Sequence, residues 1–210
     1  MKTLKNIFMV VLAVVFLGLC AGASAEPKTT FDFEENAEGW EIPFWAEQQG
    51  DHVGRSMQVS PEKASKGKQS LEIMCDFPGD HWTAAVIEYA ADVDLTGYKT
   101  LSFDVYLPRK ASGGLYQGRI IFTVGPWYIF EMREPVPLTS GKWNTVTAYL
   151  EATDVGKLTY WKGLTRGVSL KDYLDQIKKI AIRVEYNANQ WQAGPSYEGP
   201  IYIDHIVAER

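Results

Sequence analysis

The stretch Arg119–Met132, RIIFTVGPWYIFEM, decides the fold. Side chains alternate across a strand with a period of two, so Ile120, Phe122 and Val124 share one face while Arg119, Ile121 and Thr123 share the other. Gly125-Pro126 supplies a turn, because glycine tolerates positive φ and proline fixes its own. Beyond it Tyr128, Phe130 and Met132 alternate with Trp127, Ile129 and Glu131. With the all-apolar sets facing a core, the hairpin presents Arg119, Trp127 and Glu131 outward: a flat aromatic beside a cation and a carboxylate. Such a surface suits a sugar, since an indole covers the C–H groups of a pyranose and charged groups hydrogen-bond its hydroxyls. The alternative is that Trp127 packs under a loop.

Outward from the hairpin the same alternation recurs. Thr29–Phe33, His52–Ser60, Ser70–Phe77, Trp82–Ala90, Thr100–Leu107, Lys142–Leu150, Lys179–Tyr186 and Ile201–Val207 all read as strands, separated by Gly-, Pro- and Asn-rich turns. Residues 34–51, holding Trp40 and Trp45, read as a loop, and Glu151–Val168 as a longer irregular piece holding Trp161. Ser169-Leu170-Lys171-Asp172 marks a short helix, with Ser169 as its N-cap. Nine or ten strands with one short helix predict an all-β fold, an antiparallel β-sandwich of jelly-roll type.

The first 25 residues carry Lys2 and Lys5, an apolar run from Ile7 to Cys20, and the small-residue site Ala23-Ser24-Ala25. They read as a secretory signal peptide, too short for a comfortable membrane span, with residues 26–210 as one domain, secreted or periplasmic. An uncleaved anchor and a lipoprotein at Cys20 are the alternatives; bulky Leu19 disfavours the second. Removing the leader, with its two Lys and no acid, moves the formal charge from −5 to −7. An acidic exported domain does not suggest a nucleic-acid or anionic-membrane partner; no nucleic acid, no membrane and a monomer are expected. Cys75 is then the only cysteine left, sharing a face with Leu71, Ile73 and Phe77, so it reads as a small core residue. All seven Trp fall beyond the leader, a load high enough to place some of them at a surface for a purpose.

Catalytic signatures are absent: no HExxH, CxxC, GxSxG or phosphate-binding glycine loop occurs. His52, His81 and His205 are isolated. Glu88, Glu131 and Glu185 fall on outward strand positions, so a glycosidase carboxylate pair is one reading; surface acids that bind hydroxyls without acid–base work are the other. Asp32 and Glu34 follow the first strand and Asp204 lies in the last. In a sandwich with adjacent terminal strands these acids would converge near Gly67 on a hard cation such as calcium, or stand solvated.

Several landmarks together resemble carbohydrate-binding modules of family 27, the mannan-binding group. They are Phe31-Asp32-Phe33, Pro78-Gly79-Asp80-His81-Trp82, Asp104-Val105-Tyr106-Leu107-Pro108, Gly125-Pro126-Trp127, and Tyr197-Glu198-Gly199-Pro200-Ile201-Tyr202-Ile203-Asp204, in the family's order across nearly all of residues 26–210. The resemblance implies a galactose-binding-like jelly roll, three tryptophans as a platform for consecutive mannose units, and a structural calcium. Trp82 and Trp127 match the platform, the remaining position falls on Trp45 or its competitor Trp40, and Asp32 and Asp204 match the ends that hold the ion. The family's modules usually accompany a mannan-degrading enzyme, for which this chain has no room, and residues 151–169 look longer than the family's loop, so that Trp161 is expected to cap or reshape the groove.

The expectation is therefore an exported, non-catalytic protein binding a β-linked plant-type polysaccharide, mannan or glucomannan favoured. Trp45, Trp82 and Trp127 would stack, and Arg119, Glu131, Arg183 and Glu185 would hydrogen-bond. A small jelly-roll hydrolase or lyase, and an envelope structural or adhesion protein, are the alternatives.

Overall fold

The computed structural model describes residues 30–152, 160–163, 167–189 and 191–210; the signal-peptide reading of residues 1–25 and part of the irregular stretch 151–168 lie outside them. Among the described residues thirteen strands form two antiparallel sheets. The first runs β10 (Trp143–Tyr149), β6 (Thr100–Tyr106), β13 (Tyr197–Glu209), β4 (Ser70–Phe77), β3 (Gly54–Ser60), with β1 (Thr30–Phe31) also on β13. The second runs β11 (Trp161–Gly163), β8 (Tyr128–Met132), β7 (Tyr116–Val124), β12 (Ile177–Asn187), β5 (Trp82–Val93), β2 (Trp40–Glu41), with β9 (Val136–Pro137) also on β7.

The two inner faces supply the core by strict alternation. Ile73, Phe103 and Ile203 of the first sheet and Ile87, Phe122 and Ile182 of the second are all buried in one cluster, as two stacked sheets about 10 Å apart require. Cys75 sits in this core, and its burial pushes the thiol well above the usual range. The terminal strands are neighbours, as expected: Thr30 pairs with Val207 and Phe31 with Ile206.

Three readings change. Residues 34–51 are not loop throughout: Trp40–Glu41 pairs with β5, and Phe44–Glu47 forms a single helical turn, α1, after Pro43. The expected helix after Ser169 is a 3₁₀ segment, Leu170–Gln176, broken at Tyr173, and Ser169 makes no side-chain cap. Trp161 is not a groove residue. It starts β11, donates its indole N–H to Tyr149 O at 3.0 Å and packs on Phe122. A short strand without alternation carried no periodic signal, whereas its pairing to β8 fixes which way each residue points.

Candidate functional site

The outer face of the second sheet is the only one the hairpin Arg119–Met132 addresses, and its residues follow from register. On β7, Arg119, Ile121 and Thr123 turn outward while Ile120, Phe122 and Val124 are buried. Arg183 of β12 lies directly opposite Arg119 of β7. Like charges facing each other across a ladder repel, so the pair needs carboxylates beside it. Glu185, two residues along the same face, and Glu131, on β8, supply them.

The four side chains close an alternating ring. Arg183 Nε donates to Glu185 Oε1 at 2.6 Å and its Nη2 to Glu131 Oε2 at 3.0 Å. Arg119 Nε lies 2.9 Å from Glu185 Oε1, with its N–H not aimed at that oxygen, and Arg119 Nη1 lies 3.6 Å from Glu131 Oε1. Lys162 of β11 adds a fifth member, 2.7 Å from Glu131 Oε1. Burial pushes the Glu131 carboxyl up, but Lys162, Arg183 and Arg119 together outweigh it and hold it below the usual range. Glu185 is 3% exposed at its side chain. From that position it holds the Arg119 and Arg183 guanidinium groups against one another at the sheet surface.

Trp127 ends the turn between β7 and β8 in the left-handed region, φ 68°, and is 67% exposed. That conformation costs a residue with a Cβ about 1–2 kcal/mol, and such strain gathers at working sites. The turn needs Gly125 as well, because a Cβ there would meet the Tyr173 ring at 2.7 Å. Trp45, 42% exposed, stands on α1. The segment after α1 is anchored to β5 by Val53 N–H to Ala84 O and Ala84 N–H to Asp51 O, and the Trp45 ring contacts His52 edge-on at 5.0 Å.

Trp45 and Trp127 line one cleft of about 430 Å³, together with Val86, Ala181, Ile121 and Ile129 and rimmed by Glu88–Lys179, Glu131 and Arg183. Trp82 lines a second cleft of about 530 Å³, with Gln117, Asn187, Arg119, Glu185 and Lys162. Glu131 and Arg183 belong to both, so the clefts are two halves of one groove. Trp45 and Trp127 thus share one half and Trp82 lies in the other. The Arg183 guanidinium lies 5.5 Å from the Trp82 ring centre, a cation–π contact, and covers part of that ring. Trp40, the competitor of Trp45, is buried against Phe31 and Tyr89.

Sequence reasoning missed Lys162, Lys179 and the apolar floor. Lys162 sits opposite Glu131 in the β11–β8 ladder, a pairing that no spacing in the chain announces. Alternation marks Lys179 only as the start of a strand, whereas the structure makes it the partner of Glu88, 2.7 Å away. His81 lines neither cleft; it pairs with Asp80 on the surface.

The acids at the chain ends do not fit the calcium that the resemblance implies. Asp204 accepts from the N–H groups of Ser65 (2.7 Å), Lys66 (3.1 Å) and His205 (2.7 Å). Glu34 accepts from Lys68 and Gln69 N–H, against Gly67, where a Cβ would meet its carboxylate at 2.1 Å. Asp32 is exposed and bonds locally to Glu34 N–H. Calcium needs lone pairs converging on one point, whereas loop 65–69 turns N–H groups to these oxygens. Among the described residues no three His, Cys, Asp or Glu gather for a metal. Burial raises the Asp204 carboxyl above its usual range against those hydrogen bonds.

No family model matches this sequence, and no curated protein does. Solved structures do. A study of promiscuous specificity in carbohydrate-binding modules of the β-sandwich superfamily provides one, at TM-score 0.53 and 16% identity over 89% of this chain; this chain spans 64% of that one. A family 28 carbohydrate-binding module specific for non-crystalline cellulose aligns at TM-score 0.52 and 19% identity, over 85% of this chain and 92% of its own. A family 27 module studied for specific mannan recognition aligns at TM-score 0.48 and 17% identity, over 88% of this chain and 97% of its own. The chain has the antiparallel β-sandwich of the carbohydrate-binding modules that are its structural neighbours.

Proposed function

We propose that this chain is an exported, non-catalytic polysaccharide-binding protein whose groove on the second sheet takes a β-linked plant-type glycan, mannan or glucomannan above others. The observation that carries the reading is Trp127, a large indole held mostly in solvent in a strained backbone conformation, at the mouth of a cleft it shares with Trp45. Exposing that much apolar surface in a left-handed turn is unfavourable for the free protein, and a stacked sugar ring removes the cost of exposure. The charge ring is prepared for the same partner. Its side chains are already fixed by one another, so little rotamer freedom is lost when they meet hydroxyls.

A hydrolase in this groove would need a carboxyl that keeps its proton near neutral pH. Glu131 is displaced the other way by three cations, which suits an acceptor of hydroxyl hydrogen bonds. A Tyr/His lyase pair finds no support either, since neither residue type lines the two clefts among the described residues. Residues 1–25 act, in this proposal, as the export signal and residues 26–210 as a monomeric module. Affinity electrophoresis of the mature chain in gels containing glucomannan, xylan or mixed-linkage glucan tests the reading. Retardation by glucomannan with no release of reducing ends is expected, and unretarded migration in all three gels overturns it.

A further inference from the structure

The two halves of the groove differ in chemistry. In the Trp82 half the amides of Gln117 and Asn187 and the guanidinium of Arg119 offer hydrogen bonds to bare hydroxyls. The Trp45–Trp127 half has none of that on its floor. Ala181 pairs with Ile121 across β12 and β7, and Val86 and Ala181 pack with Ile121 as an apolar cluster separate from the main core. Ile129, 37% exposed, extends this surface toward Trp127. The charged groups at its rim are already engaged, Glu88 by Lys179 and Glu131 by Lys162 and Arg183. Among the described lining residues, Thr123 holds the single neutral hydroxyl.

A sugar hydroxyl directed at the Val86–Ile121–Ala181 floor loses its water against apolar side chains, which opposes binding. An ester at the same position reverses the sign. Its methyl covers the floor, and its carbonyl needs only one donor, which Lys179 can give: the ammonium carries three N–H groups and directs one to Glu88 at 2.7 Å. Resting on the polysaccharide-binding reading above, we propose that the Trp45–Trp127 half receives an O-acetylated sugar residue, while the Trp82 half receives an unsubstituted one.

The test uses the mature chain and soluble glucomannan oligosaccharides carrying O-acetyl groups, compared by calorimetry with the same preparation after mild alkaline removal of the esters. Burying one methyl group corresponds to a preference of roughly four-fold for the acetylated ligand. Ile121→Thr, a strand-compatible change on the outer face, should shrink that ratio toward one by weakening the acetylated ligand. Equal or tighter binding of the deacetylated oligosaccharides overturns the ester while leaving glycan binding in place. A preference undiminished in Ile121→Thr also overturns it, since the ester would then sit off this floor. Binding of neither preparation removes the underlying reading and the inference with it.

Discussion

Replacing Trp127 by glycine separates a binding role from a structural one, because the two predict changes of opposite sign. In the free protein the indole is 67% exposed, so its removal sacrifices little packing. Its φ of 68° is one that glycine adopts freely, and relief of that strain, less glycine's extra chain entropy, is worth about 1 kcal/mol. For a domain of this size that raises the melting temperature by about 2–4 °C. Binding moves the other way. An exposed fraction of 67% corresponds to about 170 Å² of a tryptophan's roughly 250 Å². A pyranose covering one face removes about half of this from water, about 85 Å², which at about 25 cal/mol per Å² is about 2 kcal/mol, or roughly a thirty-fold loss of affinity. Calorimetric melting and affinity gels containing glucomannan read both quantities on one preparation. A melting temperature several degrees lower, with retardation kept, would refute the reasoning and make Trp127 a support for the hairpin.

Glu185→Gln should lower stability by about 2–3 kcal/mol, because a buried charge-assisted pair to both guanidinium groups is weakened, and should also weaken glycan binding; unchanged affinity in this folded variant would show that the arginines need no alignment. The Glu131 carboxyl is held below its ordinary value of 4.5, so its ion pairs contribute in full above that pH and are lost as pH falls through the lower folded value. Melting temperature should accordingly be level from pH 7 to 5 and fall below about 4.5, less steeply in Glu131→Gln; parallel curves for the two proteins would contradict the ring. EDTA should leave the melting curve unchanged, since Asp204 and Glu34 face backbone N–H groups; a clear drop restored by calcium would place an ion at the chain ends after all.

The strand alternation that built the core was written locally. Ile120, Phe122 and Val124 announce their inward face two residues at a time, because a strand's side-chain period depends on nothing beyond its own backbone. Ser70–Phe77 was legible to the residue, Cys75 as a core position, and the outward placement of Arg119, Glu131, Arg183 and Glu185 followed from the same rule. Trp45, Trp82 and Trp127 were legible as candidates because indoles next to turns and charges are costly to leave without a use.

What alternation does not encode is which strand lies beside which. The meeting of Arg119 and Arg183 across β7 and β12, and hence the need for both carboxylates, exists only in the ladder. Burial of Trp40 and Trp161, the cover of Arg183 on Trp82, and the arrival of Lys162 opposite Glu131 are likewise consequences of pairing between segments 30 to 100 residues apart in the chain. The chain-end acids show the same limit: their spacing suits a cation, and only the direction of the 65–69 backbone, N–H groups toward the carboxylates, decides what those oxygens bind. Sequence determined the two-layer sandwich and the residues available to its outer face, because burial of an apolar stripe is a local pattern. Tertiary structure decided which of them share a cleft, because contact across a sheet is set by register.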